Sequence, residues 1–185
     1  MSYTPGHNSF LSLAELEKVG FKEIGSNVKI SKNAQFYGAE HLAVGSNVRI
    51  DDFVIISINA SSRIGSFVHL SPFCLITSQE GIEIEDYVTI SSRVTIYGQS
   101  DDFSGGFFTN PTNPIESRNV ISARVIIETH AAIGTGATLL PTGKLRVGTV
   151  LGAMSLLKSD TEPWCIYSGI PAEFRMQRSE IRMPN

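Results

Sequence analysis

The sequence predicts an all-β chain wound as a triangular prism of about six coils, with a short N-terminal helix, one long loop inserted at a corner and a C-terminal tail. Three observations carry that reading: apolar residues recur at six-residue steps, small or apolar residues sit two places before them, and the series breaks only once. The series runs Ile24, Ile30, Phe36; Val44, Ile50, Ile56; Ile64, Leu70, Ile76; Ile84, Ile90, Ile96; then, after a gap, Ile127, Ile133, Leu139; and Val147, Ala153, Ser159. Steps of six within a group and eight between groups make a 20-residue repeat. Sixteen of the eighteen positions are Ile, Val, Leu or Phe, which chance composition would very rarely give. Since strand side chains alternate faces, the preceding inward positions should match, and Val28, Val48, Val68, Val88, Val125 and Leu145 do, while Lys22 and Ser62 depart from the pattern. Three short strands and three corners per turn make a prism, whose core closes by stacking neighbouring coils.

In chain order, the first unit is a cap over 1–23. Ser12 and Glu15 form a Ser-x-x-Glu capping box opening a helix whose apolar face is Leu13, Leu16 and Val19. The β-helix spans 24–159, with Gly25, Gly45, Gly65 and Gly148 at one corner, where tight turning is expected, and Glu85 and Glu128 at equivalent places. From Ile96 to Ile127 there are 23 residues more than a corner needs, so a loop over 97–124 should leave at the third corner and return in register. Phe103, Phe107 and Phe108 in it should pack on a neighbouring subunit rather than stand in water. The tail, 160–185, leaves the hexad rule and carries Arg175, Arg178 and Arg182; it should pack along the outside.

Composition excludes several classes. A chain of 185 residues with 42% hydrophobic and 18% charged residues suits one soluble globular domain, without an apolar run long enough to span a membrane. Its net charge of -3 supplies no positive field for nucleic acid. Two cysteines, Cys74 and Cys165, cannot build a disulfide framework, and no export signal is visible, so a reducing cytoplasm is expected.

The hexads, the long loop and the runs Ile133-Gly134-Thr135-Gly136-Ala137, Gly152-Ala153-Met154-Ser155-Leu156-Leu157-Lys158-Ser159 and Ile166-Tyr167-Ser168-Gly169-Ile170-Pro171-Ala172 resemble the hexapeptide-repeat acyltransferases. The likeness covers about 24–178 and is nearest to the galactoside, maltose and polysaccharide O-acetyltransferase branch. It implies a left-handed parallel β-helix, a homotrimer, acetyl-CoA as co-substrate in grooves between subunits, and transfer of an acetyl group to a saccharide hydroxyl. It also implies cofactor contacts at Gly134, Thr135, Gly152, Ala153, Lys158 and Ser159, with Lys158 or Arg175 meeting phosphate.

Acyl transfer to a hydroxyl needs a base, oxyanion donors and a means of holding both substrates. Of four histidines, His7 and His41 read as surface residues. His69 should stack between Arg49 and Thr89 on adjacent coils, with Asp51 and Ser71 near it; a flanking arginine favours the neutral imidazole that a base needs. A solvated ladder histidine explains it equally well. His130 falls in a column with Tyr87, Val150 and Phe67, which reads first as an aromatic ladder. In the resembled enzymes the base is a histidine in the loop, and here the loop has none: Ser100, Asp101 and Asp102 stand in its place. Either His69 takes the role, with Asp101 as its partner or a substrate contact, or a loop carboxylate acts itself; an ordinary aspartate, with a pKa of about 3.9, is a weak base, so His69 with Asp101 is the expected catalytic pair, and Arg49, Ser71, Ser100 and Asp102 the expected acceptor contacts; an Asx-type turn accounts for the Ser-Asp-Asp run without function. No metal is expected, because no histidine pair has zinc-ligand spacing, which argues against a γ-class carbonic anhydrase. A non-enzymatic binding solenoid would need neither the loop nor the glycine-rich run. A sugar-nucleotide N-acyltransferase, whose acceptor amine has less need of a base, is the nearest alternative.

Overall fold

The computed structural model describes residues 9–141 and 143–181; His7 and Arg182 lie outside them. Three parallel walls enclose the core. The first carries Glu23–Ile24, Leu42–Val44, Ser62–Ile64, Ile82–Ile84 and Val125–Ile127. The second carries Lys29–Ile30, Arg49–Ile50, His69–Leu70, Thr89–Ile90, Ala132–Ile133, Val150–Leu151 and Cys165–Ser168, followed by antiparallel Glu173–Gln177. The third carries Gln35–Tyr37, Ile55–Ile58, Leu75–Ser78, Thr95–Tyr97, Thr138–Leu139 and Leu156–Leu157. Seven parallel strands stack on the second wall, so the left-handed parallel β-helix has about seven turns rather than six. No helix among the described residues is long and apolar enough to cross a membrane.

The hexad series sets the register. Ile24 pairs with Val44, Ile30 with Ile50 and Phe36 with Ile56. Across the loop, Ile84 still pairs with Ile127 and Ile90 with Ile133. Ile30, Ile50, Leu70, Ile90 and Leu151 are fully buried, one above another. The sixth coil departs from the expected count. Its partners are Ile127 with Leu145, Ile133 with Leu151 and Leu139 with Leu157, a step of 18. Leu145, Leu151 and Leu157 are therefore the core residues, whereas Ala153 and Ser159 are exposed and Val147 is half-buried. Burial selects the shorter register because it puts three leucines inside instead of a serine.

Gly25, Gly45 and Gly65 are not where the chain turns left-handed. The positive φ falls two residues later, at Asn27, Asn47, Phe67, Tyr87 and His130. The glycines serve coil-to-coil approach: a Cβ on Gly45 would lie 2.7 Å from the carbonyl carbon and oxygen of Gly65. Gly148 does take φ +66, in the column of His130, not that of Gly45.

The cap helix is Leu13–Val19, with Ser12 and Glu15 forming both bonds of the capping box and Gly20 closing it at φ +78. Leu16 is buried, but Leu13 is 82% exposed, so the apolar face is narrower than its spacing suggested. The loop leaves through a two-stranded stem in which Gln99–Asp101 pairs antiparallel with Val120–Ser122. Its three phenylalanines are exposed on the single chain. The tail does not run along the outside as expected. It makes the seventh turn, then folds back on it as Glu173–Gln177.

Candidate active site

The stem presents Ser100 and Asp101 between two clefts. One, of about 680 Å³, is lined among others by Gln79, Gln99, Ser100, Asp101, Arg118 and Asn119. The other, of about 380 Å³, is lined by Tyr97, Gln99, Ser100, Asp101, Phe103 and Leu140. The Asp101 side chain is 16% exposed. Its Oδ1 accepts from Arg118 at 2.8 and 3.3 Å, and its Oδ2 accepts from the Asn110 backbone N–H at 3.0 Å. The Arg118 guanidinium, and next the Asn110 N–H, hold the Asp101 carboxyl below the usual carboxylate range. It stays an anion at neutral pH and is a poor proton acceptor. Arg118 was not foreseen in this role, since its 17-residue separation from Asp101 follows neither strand nor coil period.

Asp102 behaves differently. Its Oδ1 accepts from the Ser104 N–H at 2.8 Å, an Asx turn, and Oδ2 accepts from Asn119 at 2.8 Å. Bonds from Ser104, then from Asn119, lower its carboxyl too. Asp102 thus forms the Asx turn that the Ser-Asp-Asp run allows, while Asp101 lines both clefts. The Ser100 hydroxyl donates to the Asp101 carbonyl at 3.1 Å.

His69 lies on the second wall between Arg49 and Thr89, as its period requires. Its Nε2 is 2.8 Å from Asp51 Oδ2, and Arg49 Nε donates to Asp51 Oδ1 at 2.7 Å. Asp51, 8% exposed, ties the three together, so the arginine is spent on the carboxylate and does not face the imidazole alone. Ser71 is half-buried at the following corner. Among the described residues no hydrogen bond or ion pair joins His69 to Asp101 within one chain.

His130 stands in an aromatic column at the corner between the first and second walls. Phe67 stacks on Tyr87 at 4.9 Å, Tyr87 on His130 at 5.0 Å, and Trp164 lies 6.1 Å beyond. Trp164, not Val150, completes the column; its ring passes over Gly148, where any Cβ would meet it. Arg178 caps the ring at 5.8 Å and donates to the carbonyls of His130 and Gly148.

The cofactor positions fall at the corner between the second and third walls and beyond it. Gly134 stacks against the Ala153 backbone and Gly152 against Ser168, so both glycines are explained by close coil packing. Thr135, Ala153, Lys158 and Ser159 are exposed, and Arg175 donates to Ser168 O and Oγ. These groups offer an uncharged small-residue ledge with cations at its end, a donor set that fits a pantetheine arm and a phosphate.

No family model matches the chain. It is 39% identical over 173 residues, 93% of this chain and 90% of the other, to a dTDP-4-amino-4,6-dideoxy-D-glucose acyltransferase of Escherichia coli. The structure is similar to AntD, an N-acyltransferase from Bacillus cereus in complex with dTDP and 3-hydroxybutyryl-CoA, at a TM-score of 0.90 and 40% identity over 94% of this chain and 92% of that one. Other AntD structures carry variants at a serine and at an aspartate ten residues later, one of the serine variants holding dTDP-4-amino-4,6-dideoxyglucose and coenzyme A. A maltose O-acetyltransferase from Clostridium difficile shares the fold at a TM-score of 0.58, with 18% identity over 91% of this chain and 78% of that one. The expected acetyl transfer to a saccharide hydroxyl is overturned by these comparisons, because the strong similarity runs to enzymes that acylate an amino sugar. The chain belongs to the hexapeptide-repeat acyltransferase family, where its similarity lies with sugar-nucleotide N-acyltransferases and not with the O-acetyltransferase branch.

Proposed function

We propose that the protein transfers an acyl group from an acyl-CoA, acetyl-CoA being the simplest, to the amino group of a nucleotide-linked 4-amino-4,6-dideoxy sugar. The observation that carries this reading is the 39% identity, over nearly the whole chain, to an acyltransferase of that amino sugar. The chemistry of the loop agrees with it. Where a hydroxyl acceptor needs a histidine base, this loop offers the anionic Asp101. A free amine carries its own lone pair; what it needs is orientation and the loss of its ammonium proton to water. Asp101 accepts a hydrogen bond from the amine and aims the lone pair at the thioester carbon. The C–N bond forms, the C–S bond breaks, and the amine proton leaves with the departing sulfur, giving an amide and free coenzyme A.

Ser–Asp pairs with the ten-residue spacing of AntD's variant positions occur here as Ser91–Asp101 and Ser92–Asp102, and Asp101 lines both clefts. His69, bound in its own cluster on another wall, takes no proton in this scheme. The active unit is a homotrimer, with acyl-CoA lying along the ledge of Thr135 and Ala153 and its phosphates towards Lys158 or Arg175. Thiol release tests the proposal: dTDP-4-amino-4,6-dideoxyglucose with acetyl-CoA should liberate coenzyme A at least about 10³ times faster than dTDP-glucose or maltose. Faster turnover of either hydroxyl acceptor would overturn it.

A further inference from the structure

As a nucleophile adds to a thioester, negative charge gathers on the carbonyl oxygen, and a donor aimed at that oxygen lowers the barrier. Asp101 supplies none, because it is an anion and both its oxygens accept. The donors around it are committed. Arg118 donates through Nε and Nη2 to Asp101, Asn119 donates to Asp102 Oδ2 at 2.8 Å, and the Ser100 hydroxyl donates to the Asp101 carbonyl. Gln99, Ser100 and Asp101 are the residues common to the two clefts, and of these Gln99 alone has a side-chain N–H donor.

The fold sets where that amide sits and how it is turned. Gln99 and Asp101 are two apart on one strand of the stem, so their side chains leave it on the same face. Gln99 is half-buried, and its Oε1 accepts from the backbone N–H of Gln79, on the preceding coil, at 2.9 Å. A backbone N–H can only donate, so the amide oxygen lies on that side and Nε2 points away from it. Among the described residues nothing accepts from Nε2. The base of the stem is held at both strands. Gly98 donates to the Thr77 carbonyl at 2.6 Å, and its own carbonyl accepts from the Ala123 N–H at 2.8 Å. A Cβ on Gly98 would lie 2.9 Å from Ser78 Cα, so the strand seats directly on the coil beneath. On the returning side, Arg124 donates to the Ser61 carbonyl at 3.0 Å and pairs with Glu83 at 3.2 Å. The 20-residue spacing of Gln79 and Gln99 is that of a ladder pair, which accounts for Oε1 and leaves the NH2 group without a role.

We propose that Gln99 is a catalytic residue beside Asp101, its Nε2–H donating to the thioester carbonyl oxygen of the bound acyl-CoA. This rests on the acyl transfer proposed above and gives its charged intermediate a partner. As the amine nitrogen bonds to the thioester carbon, the carbonyl electron pair moves onto oxygen, where the Gln99 N–H meets it. On collapse the pair returns, the C–S bond breaks and the sulfur leaves with the amine proton. Two residues along a strand span about 6.6 Å, which sets the amine against one side chain and the carbonyl oxygen against the other. Charge assigns the two: the Asp101 carboxylate attracts the N–H of the amine and would repel an oxyanion, whereas the neutral amide is suited to receive it.

Gln99→Met and Gln99→Glu in the full-length protein separate the donor from the ladder. Both remove the N–H; glutamate keeps an oxygen for the Gln79 N–H and so keeps the corner pinned. In both, kcat for amine acylation should fall by about 10²-fold, while KM for acyl-CoA and for the amino sugar stays within about threefold of the wild type. A residue that merely pins the corner would be rescued by glutamate, and that result would overturn the proposal. So would an unchanged kcat in Gln99→Met, or a rise in KM alone. Infrared spectra of bound acetyl-CoA labelled with carbon-13 at the carbonyl read the same contact without an acceptor. The thioester band should lie at lower wavenumber in the wild type than in either variant, and coincident bands would sink the assignment. A shifted band without amine acylation would remove the proposed function but leave Gln99 in place, whereas acylation with no shift would do the reverse.

Discussion

Asp101→Asn isolates the charge that the loop places between its two clefts. The amide keeps the size and one acceptor oxygen, which can still take the Arg118 bond of 2.8 Å. What is lost is the anion and the second acceptor, which now takes the Asn110 N–H at 3.0 Å. If Asp101 orients the amine, kcat/KM for the amino sugar should fall by about 10²-fold, the usual consequence of a misaimed nucleophile. Acyl-CoA affinity, read by calorimetry, should change less than about twofold, since the cofactor ledge lies on other coils. The pH profile separates orientation from proton transfer. Because Arg118 and then Asn110 lower the folded-state carboxyl of Asp101, its charge and the stability tied to it are fully present above the ordinary value of about 3.9. Both are lost only as pH falls through the lower folded value. Between pH 5 and 8 the wild-type rise in kcat/KM therefore reports the acceptor ammonium, not Asp101. Arg118→Met removes the main lowering cause, so an acid limb should move up towards the ordinary carboxylate range. An Asp101→Asn enzyme with unchanged kcat/KM, or a wild-type profile with a carboxylate limb above pH 5, would refute the reasoning.

Two stability predictions follow from the scaffold. Gly45→Ala has no φ penalty but drives a Cβ to 2.7 Å from Gly65 backbone atoms that cannot swing away; it should cost about 1–3 kcal/mol and lower Tm by roughly 3–10 °C. Gly20→Ala, at φ +78 with no atom within 4 Å of the new Cβ, is the strain-only control, and an equal or larger loss there would contradict the close-approach explanation. Ser12→Ala removes the acceptor for the Glu15 N–H and the Glu15 carboxylate's hydroxyl partner, so thermal unfolding should register about 1 kcal/mol less stability. The Ser12 N–H and hydroxyl, then Lys32, hold the Glu15 carboxyl down to about 2, so the cap's ionic contribution is present above about 4.3 and lost as pH falls towards 2; acid melts of Ser12→Ala should show a weakened but not abolished dependence, since the backbone N–H at position 12 and Lys32 still bond the carboxylate.

Periodicity carried the fold because burial and register are the same constraint in a solenoid. Each hexad residue must fill the layer between two coils, so Ile30, Ile50, Leu70 and Ile90 announce their stacking directly. Where two counts compete, the residue type at the inward place decides. The 20-residue count put Ala153 and Ser159 inside; the 18-residue step puts Leu151 and Leu157 there, and those leucines were visible two places earlier. The corner glycines misled for a related reason. A glycine signals backbone proximity as readily as a left-handed turn, and the turns went to Asn27, Asn47, Phe67 and Tyr87, whose side chains stack in ladders that offset the strain of positive φ.

The site was less legible because its members come from a non-repeating segment. Ser100 and Asp101 were marked by their place after Ile96, but Arg118 and Asn110 reach Asp101 only through the folded stem. The absent loop histidine was itself the chemical signal. A hydroxyl acceptor, protonated far above neutral pH, must shed its proton as it attacks, and an enzyme serving it needs a neutral base at that point. A carboxylate lowered by an arginine is the opposite kind of group: it holds a cationic or hydrogen-rich nucleophile well and takes its proton poorly. Replacing the one by the other is what an amine acceptor calls for, so the departure from the O-acetyltransferase pattern and the similarity to amino-sugar acyltransferases point to the same substrate class.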